Sequence, residues 1–141
     1  MNTKGNCECC NNAFDYDDKQ QTGKSCSIKC SKTMQYREYI ENWKGGAEMG
    51  GVGFLISRHV RRYLHECLGS KCSLCGWGET NTTTEKVPLH IDHINGDSTN
   101  HAESNLRLIC PNCHSLTENY GSLNRGNGRY KKAETLHIKY K

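Results

Sequence analysis

The chain is short of the apolar residues from which a protein of its length normally builds a core. Only 34% of its 141 residues are hydrophobic, and its mean hydropathy is −0.84. That composition excludes a large hydrophobic core, so the fold needs staples. No apolar run is long enough to cross a membrane, and the opening MNTKGNCECC lacks the apolar stretch of a signal peptide. The expected setting is a cytosol, in which thiols stay reduced. There is no nucleotide-binding glycine loop, and no heptad run that would signal a coiled-coil dimer. Ten cysteines are what the chain has instead. Reduced cysteines at short spacing point to zinc, not to a disulfide framework.

The formal net charge of +4 says little about partners. Two sites of four thiolates on Zn²⁺ would each carry a net charge of −2 and together cancel it. The case for a polyanionic partner rests on where Lys and Arg cluster.

In chain order, Cys7 and Cys10 form one C-x-x-C, and Cys26 with Cys30 a C-x-x-x-C. Together they make a four-thiolate zinc knuckle, with Cys9 as the spare; pairing through Cys9 gives poorer spacing, and incidental free cysteines are the plain alternative. Ser27 then caps an expected helix that carries Tyr36, Ile40 and Trp43 on one stripe and ends at Gly45 and Gly46. GGAEMGGVG, with five glycines in nine residues, reads as a flexible linker and domain boundary. A second helix is expected over FLISRHVRRYLHECLG, capped by Ser57 and ended by Gly69. Val60, Leu64 and Cys67 or Leu68 lie on its apolar side, which makes Cys67 a core thiol. Arg58, Arg61 and Arg62 lie off that side, either as an ordinary solvated face or as phosphate contacts. The tail from Gly121 carries Arg125, Arg129, Lys131 and Lys132, and reads as a solvated basic tail or a DNA-contacting arm. The expected divisions are 1–44 for the N-terminal knuckle and helix, 45–53 for the linker, 54–120 for the main module and 121–141 for the tail.

The chemistry concentrates between Lys71 and Tyr120. Cys72, Cys75, Cys110 and Cys113 form a pair of C-x-x-C motifs around a long insert, a strong zinc signal. Four thiolates leave no open coordination position, so that zinc is structural. VPLHIDHI and NLRLI have strand character, and PNCHSLTENYG is expected as a helix with Pro111 in its first turn and Gly121 just past its end. Within this clamp lie Asp92, His93, Asn105 and His114.

An Asp-His pair, Asn-Leu before the second C-x-x-C, and a His directly after it closely resemble the HNH nuclease family. The preceding basic helix and the trailing NRGNGR look like phage-type or homing-type members. The N-terminal knuckle resembles zinc segments attached to such enzymes more loosely. The resemblance implies a small zinc-stabilised α+β protein with a ββα-metal module. It also implies hydrolysis of double-stranded DNA with one Mg²⁺ or Mn²⁺, leaving 5′-phosphate and 3′-hydroxyl ends. In those terms His93 is the general base, Asp92 and His114 hold the catalytic cation, and Asn105 braces the loop that orients the base. The residue types suit the roles: an unperturbed imidazole titrates near about 6.5, and carboxylate oxygen with neutral imidazole nitrogen suits a divalent ion. Glu118, one helical turn beyond His114, is expected to reach the ion through water more readily than Asn119. His90 is given no role. The family often has Pro soon after the Asp-His pair, where this chain has Asn95-Gly96-Asp97.

Neighbouring residues on a regular strand face opposite ways, so Asp92 and His93 cannot serve one site from an undistorted strand. The strand is therefore expected to end or bend at Asp92. The rival reading is a non-catalytic zinc module that binds nucleic acid, which accounts for the cysteines and basic clusters but leaves Asp92, His93 and His114 unexplained. One site per chain permits nicking by a monomer or a double-strand break by a homodimer. The expected location is the cytoplasm, that of a bacterial host if the chain is phage-encoded.

Overall fold

A computed structural model describes residues 2–19 and 22–126. Among them no helix is long and apolar enough to cross a membrane. The chain divides between Asn42 and Trp43 into two compact units.

The first unit opens with an antiparallel hairpin of β1 (Asn2–Asn6) and β2 (Ala13–Asp17), paired from Asn2 with Asp17 to Asn6 with Ala13. The turn between them carries Cys7 and Cys10. The Cys7 amide donates to Asn12 O at 2.9 Å, and the Asn11 amide donates back to Cys7 O at 2.8 Å. Asn11 accordingly sits at φ 59°, a left-handed conformation that Asn tolerates better than most residues. Helix α1 (Ile28–Lys44) follows, and Ser27 caps it as expected, its Oγ accepting from the Cys30 amide at 3.2 Å.

The second unit begins with the last turn of α1. Trp43 is buried and donates from Nε1 to His101 O at 2.8 Å. The linker expected over 45–53 takes a different form here. Gly51–Val52 (β3) pairs with Leu55–Ile56 (β4), and the Gly50 carbonyl accepts from the Ser57 amide at 2.8 Å. The glycines are there because the space is taken. A Cβ on Gly51 would lie 2.1 Å from Leu55 O and 2.9 Å from His101 Cδ2.

Helix α2 (Arg58–Leu68) has the expected ends: Ser57 Oγ accepts from the Val60 amide at 3.1 Å, and Gly69 closes it at φ 68°. Val60 and Leu64 are buried, and the helix packs against β6. Its apolar stripe stops there. Cys67 and Leu68 are exposed, so Cys67 is not the core thiol that helical spacing predicts. The helix is eleven residues long, and Val60 and Leu64 are its buried residues.

Strands β5 (His90–His93) and β6 (Leu106–Ile109) pair antiparallel, and α3 (Pro111–Ser115) returns against β5, giving the ββα arrangement. Two expectations change. The strand does not end at Asp92, because His93 still pairs with Leu106 and the chain turns only at Ile94. Helix α3 stops at Ser115 instead of running toward Gly121. Hydroxyls replace its last rungs: Ser115 Oγ donates to Asn112 O at 2.7 Å and Thr117 Oγ1 to His114 O at 2.9 Å. Leu108 and Ile109 are fully buried, and Ile109 packs with Cys72 and Cys110 against Trp77, Leu89 and Cys113. The cysteine cluster is thus part of the hydrophobic core.

Gly51→Ala should lower the thermal midpoint of the zinc-loaded protein, because overpacking against backbone costs about 1–3 kcal/mol. An unchanged melting curve would mean that the hairpin does not pack on His101 as described.

Candidate functional site

Both cysteine quartets have the geometry of a tetrahedral thiolate site. The sulfurs of Cys7, Cys10, Cys26 and Cys30 lie within 4.8 Å of one another, as do those of Cys72, Cys75, Cys110 and Cys113. Sulfurs about 2.3 Å from one Zn²⁺ stand about 3.8 Å apart. The observed separations are 3.6 Å for Cys10–Cys26 and for Cys26–Cys30, and 3.8 Å for Cys75–Cys110. These are far beyond the bond length of a disulfide. Cys9 stands outside the quartet, as its spacing implies. The two knuckles are built alike: in the second, Cys72 N donates to Trp77 O and Gly76 N to Cys72 O, both at 2.8 Å, with Gly76 at φ 75° in the place of Asn11.

The thiols themselves call for a cation. The Cys26 amide, 3.3 Å from Cys7 Sγ, draws that thiol down to about 6, whereas the neighbouring Cys10 and Cys30 thiols push Cys26 up to about 12. In the second cluster burial pushes Cys72 upward, but amides of Cys110, Cys75 and Leu74 outweigh it and bring the thiol to about 6. Cys75 and Cys110 push Cys113 up to about 12. Sulfurs this crowded cannot all ionise alone; a dication removes the conflict.

The second quartet sets the rest of the site. Cys110 Sγ accepts from the Cys113 amide at 3.4 Å and caps α3, which places His114 one residue beyond a sulfur ligand. His114 Nε2 stands 3.9 Å from Asp92 Oδ1. Its other nitrogen, Nδ1, is 2.9 Å from His90 Nδ1, and the ring meets His90 and Tyr120 edge-on at 5.1 and 5.3 Å. Asp92 is 7% exposed, and its Oδ2 accepts from Arg107 Nε at 2.7 Å. Arg107 is the cross-strand partner of Asp92, so sheet register delivers that contact.

Asn105 is buried and fully engaged. Its Oδ1 accepts from the Asn95 amide at 3.0 Å, and its Nδ2 donates to Asn95 Oδ1 and to Asn100 O, both at 2.9 Å. The loop from Ile94 to Asn100 is therefore closed on Asn105. Further ties come from Asn119 Nδ2 to Ile94 O at 3.1 Å and Asn124 Nδ2 to Gly96 O at 2.9 Å.

Asp92, His93, Gly96, Ser98, His114, Asn119 and Asn124 line a cavity of about 160 Å³ with Ile91. His93 shares this cavity with Asp92 although it follows it directly, because it is the last residue of the strand and its Nε2 lies 3.0 Å from His101 Nδ1. Two oxygens of the cavity's lining, Ser98 Oγ and Asn124 Oδ1, are buried with no hydrogen-bond partner among the described residues. Glu118 does not line it. Since α3 ends at Ser115, the helical spacing that favoured Glu118 does not apply, and Asn119 takes the place instead.

Arg58, Arg61, Arg62 and Arg125 are all exposed, and Arg62 pairs with Glu66 at 2.6 Å. Arg129, Lys131 and Lys132 lie outside the described residues. Sequence reasoning passed over His101, Arg107, Ser98 and Asn124. Arg107 alone was within reach, given the register; His101 and Ser98 sit in irregular segments, and Asn124 ends a single 3-10 turn.

A family model described as HNH endonuclease matches residues 72–119, the span that holds both C-x-x-C motifs, the ββα unit and the Asp92–His114 cavity. Over that span the chain is similar to HNH endonucleases. Among known proteins similar to this chain is the H-N-H endonuclease F-TflIV of Escherichia phage T5, 33% identical over 93 residues. The alignment takes in 64% of this chain and 40% of the phage protein, so the chain spans less than half the length of that relative. No solved structure matches it.

Metal analysis should find about two zinc ions per chain, one for each quartet. Cys10→Ser and Cys110→Ser should each lose one, whereas Cys9→Ser should keep both. A single zinc in the unaltered protein would remove the N-terminal site.

Proposed function

We propose that the chain is a metal-dependent DNA endonuclease. The observation that supports this best is the cavity beside α3, where Asp92, His93 and His114 converge on one small space. A catalytic divalent cation fits there on the donor chemistry: a carboxylate oxygen and an imidazole nitrogen 3.9 Å apart, with two buried oxygens in the same lining that have no hydrogen-bond partner among the described residues. Mg²⁺ or Mn²⁺ held by Asp92 and His114 would supply positive charge against which a phosphate's developing negative charge is stabilised.

The residues of the chain do the remaining work. His93 accepts the proton of the attacking water as its oxygen bonds to phosphorus, the phosphorus–O3′ bond breaks, and O3′ takes a proton from solvent water, so the products carry 5′-phosphate and 3′-hydroxyl ends. Asn105 closes the loop that follows His93 and so fixes the position of its ring. Arg107 holds Asp92 Oδ2, which leaves Oδ1 on the side of His114. His90 holds His114 by Nδ1 and leaves Nε2 toward Asp92, the arrangement by which ligand imidazoles are commonly oriented.

Double-stranded DNA is the proposed substrate, gripped by the exposed Arg58, Arg61 and Arg125, with Arg62, Arg129, Lys131 and Lys132 as further contacts. The N-terminal knuckle and helix over 1–44 would add to that grip, and the proposed location is the cytoplasm, of a bacterial host for a phage-encoded chain. The chain could act as a nicking monomer or as a homodimer that cuts both strands.

Supercoiled plasmid incubated with the zinc-loaded chain and Mg²⁺ or Mn²⁺ should be converted to nicked or linear forms. His93→Ala should slow this by about 10²- to 10⁴-fold while DNA binding persists. Binding should weaken steeply with added salt. If the unaltered chain binds plasmid but leaves it intact with every metal and salt tried, a non-catalytic zinc-dependent binding module is the better reading. If His93→Ala cuts as fast, His93 is not the base.

A further inference from the structure

His93 Nε2 lies 3.0 Å from His101 Nδ1, and His101 Nε2 lies 2.9 Å from the Gly53 carbonyl oxygen. A carbonyl oxygen can only accept, so His101 must carry a proton on Nε2. His101 is 3% exposed, and burial lowers its pKa, with the Gly53 carbonyl and Asp97 opposing more weakly. A neutral ring protonated on Nε2 has its lone pair on Nδ1, so the short contact to His93 requires His93 to donate from Nε2. His93 is then left with its lone pair on Nδ1.

From this chain of contacts we propose that His101 is a positioning residue that sets the tautomer of His93. The Gly53 carbonyl fixes the proton of His101, His101 fixes the proton of His93, and Nδ1 of His93 becomes the nitrogen that receives a proton. The rest of the second unit holds the relay in register. The carbonyl of His101 accepts from Trp43 Nε1 at 2.8 Å. Gly50 and Gly51 pass so close that a Cβ on either would lie 3.1 Å from His101 Cβ or 2.9 Å from its Cδ2. Gly53 itself adopts φ 58°, the left-handed turn that joins β3 to β4. The glycine-rich stretch thus has a chemical purpose: it brings a carbonyl to a buried histidine that no larger residues could approach so nearly.

The proposal rests on His93 being the base, but its decisive test does not depend on cleavage. In the full, zinc-loaded chain labelled with ¹⁵N-histidine, two- and three-bond ¹⁵N–¹H correlations report which ring nitrogen is protonated. His93 and His101 should both show the Nε2–H tautomer near neutral pH. In His101→Leu the His93 signals should shift to a mixture of tautomers, and kcat for plasmid cutting should fall about 10- to 100-fold with KM little changed. His101→Gln keeps an acceptor oxygen and an N–H donor in one side chain, and should recover most of both. Zinc content of both variants reports whether they fold. An Nδ1–H His93 in the unaltered chain, or a doubly protonated His101, would overturn the relay. If the unaltered chain cuts nothing, the nuclease reading fails, while the tautomer measurement still decides the relay.

Discussion

The contact on which the second unit depends is that of four sulfurs, those of Cys72, Cys75, Cys110 and Cys113. They stand where a larger protein would put leucines: Cys72 and Cys110 are buried with Ile109 under Trp77 and Leu89. Binding a dication there does two things at once. It closes the 38-residue interval from Cys72 to Cys110 at the low entropic cost of a logarithm in loop length, and it makes up for a core of few apolar side chains. Because Cys110 also caps α3 and precedes it directly from β6, the same cluster fixes the angle between the strand pair and the helix. His114 inherits its position from that angle. A metal-free chain would keep the residues of the cavity and lose what aims them.

A second constraint is the pleat of β5. Asp92 and His93 are adjacent and must face opposite ways, yet both border one cavity. The structure resolves this at the strand end without a bulge or an early stop. Asp92 is held on one side by its cross-strand partner Arg107, while His93 is drawn to His101 in the loop that Asn105 closes. The backbone stays paired to His93, and the chain turns at Ile94. The cavity therefore sits where the ladder ends, between the last strand residue, the loop and the last turn of α3.

Much of this was legible in the residues. Capping by Ser57 and Gly69 at α2, and by Ser27 at α1, follows from local chemistry that needs no tertiary partner, and both appear where expected. The two quartets were legible because ligand spacing is a local property too. Two of the expectations that failed were extrapolations of periodicity. The stripe on α2 was carried one turn too far, to Cys67, and α3 was extended past Ser115 to bring in Glu118. His90 and Arg107 gained their meaning from the cross-strand register and from α3 folding back, neither of which is stated by residue type.

The glycine run is the most instructive case. By composition GGAEMGGVG is a linker, and the same glycines in isolation would behave as one. Here Gly50 and Gly51 are small because Trp43 and His101 occupy the adjoining space, and a Cβ on Gly50 would come within 2.5 Å of Trp43 Nε1. Composition cannot tell a glycine selected for freedom from one selected for close approach, since the two differ only in what surrounds them. The distinction matters for the site, because the carbonyl that reaches His101 belongs to this run. A tether would leave His101 without a fixed proton, and with it the ring of His93. The stretch that looked most like a gap between modules is thus joined, through two hydrogen bonds, to the residue assigned the proton transfer.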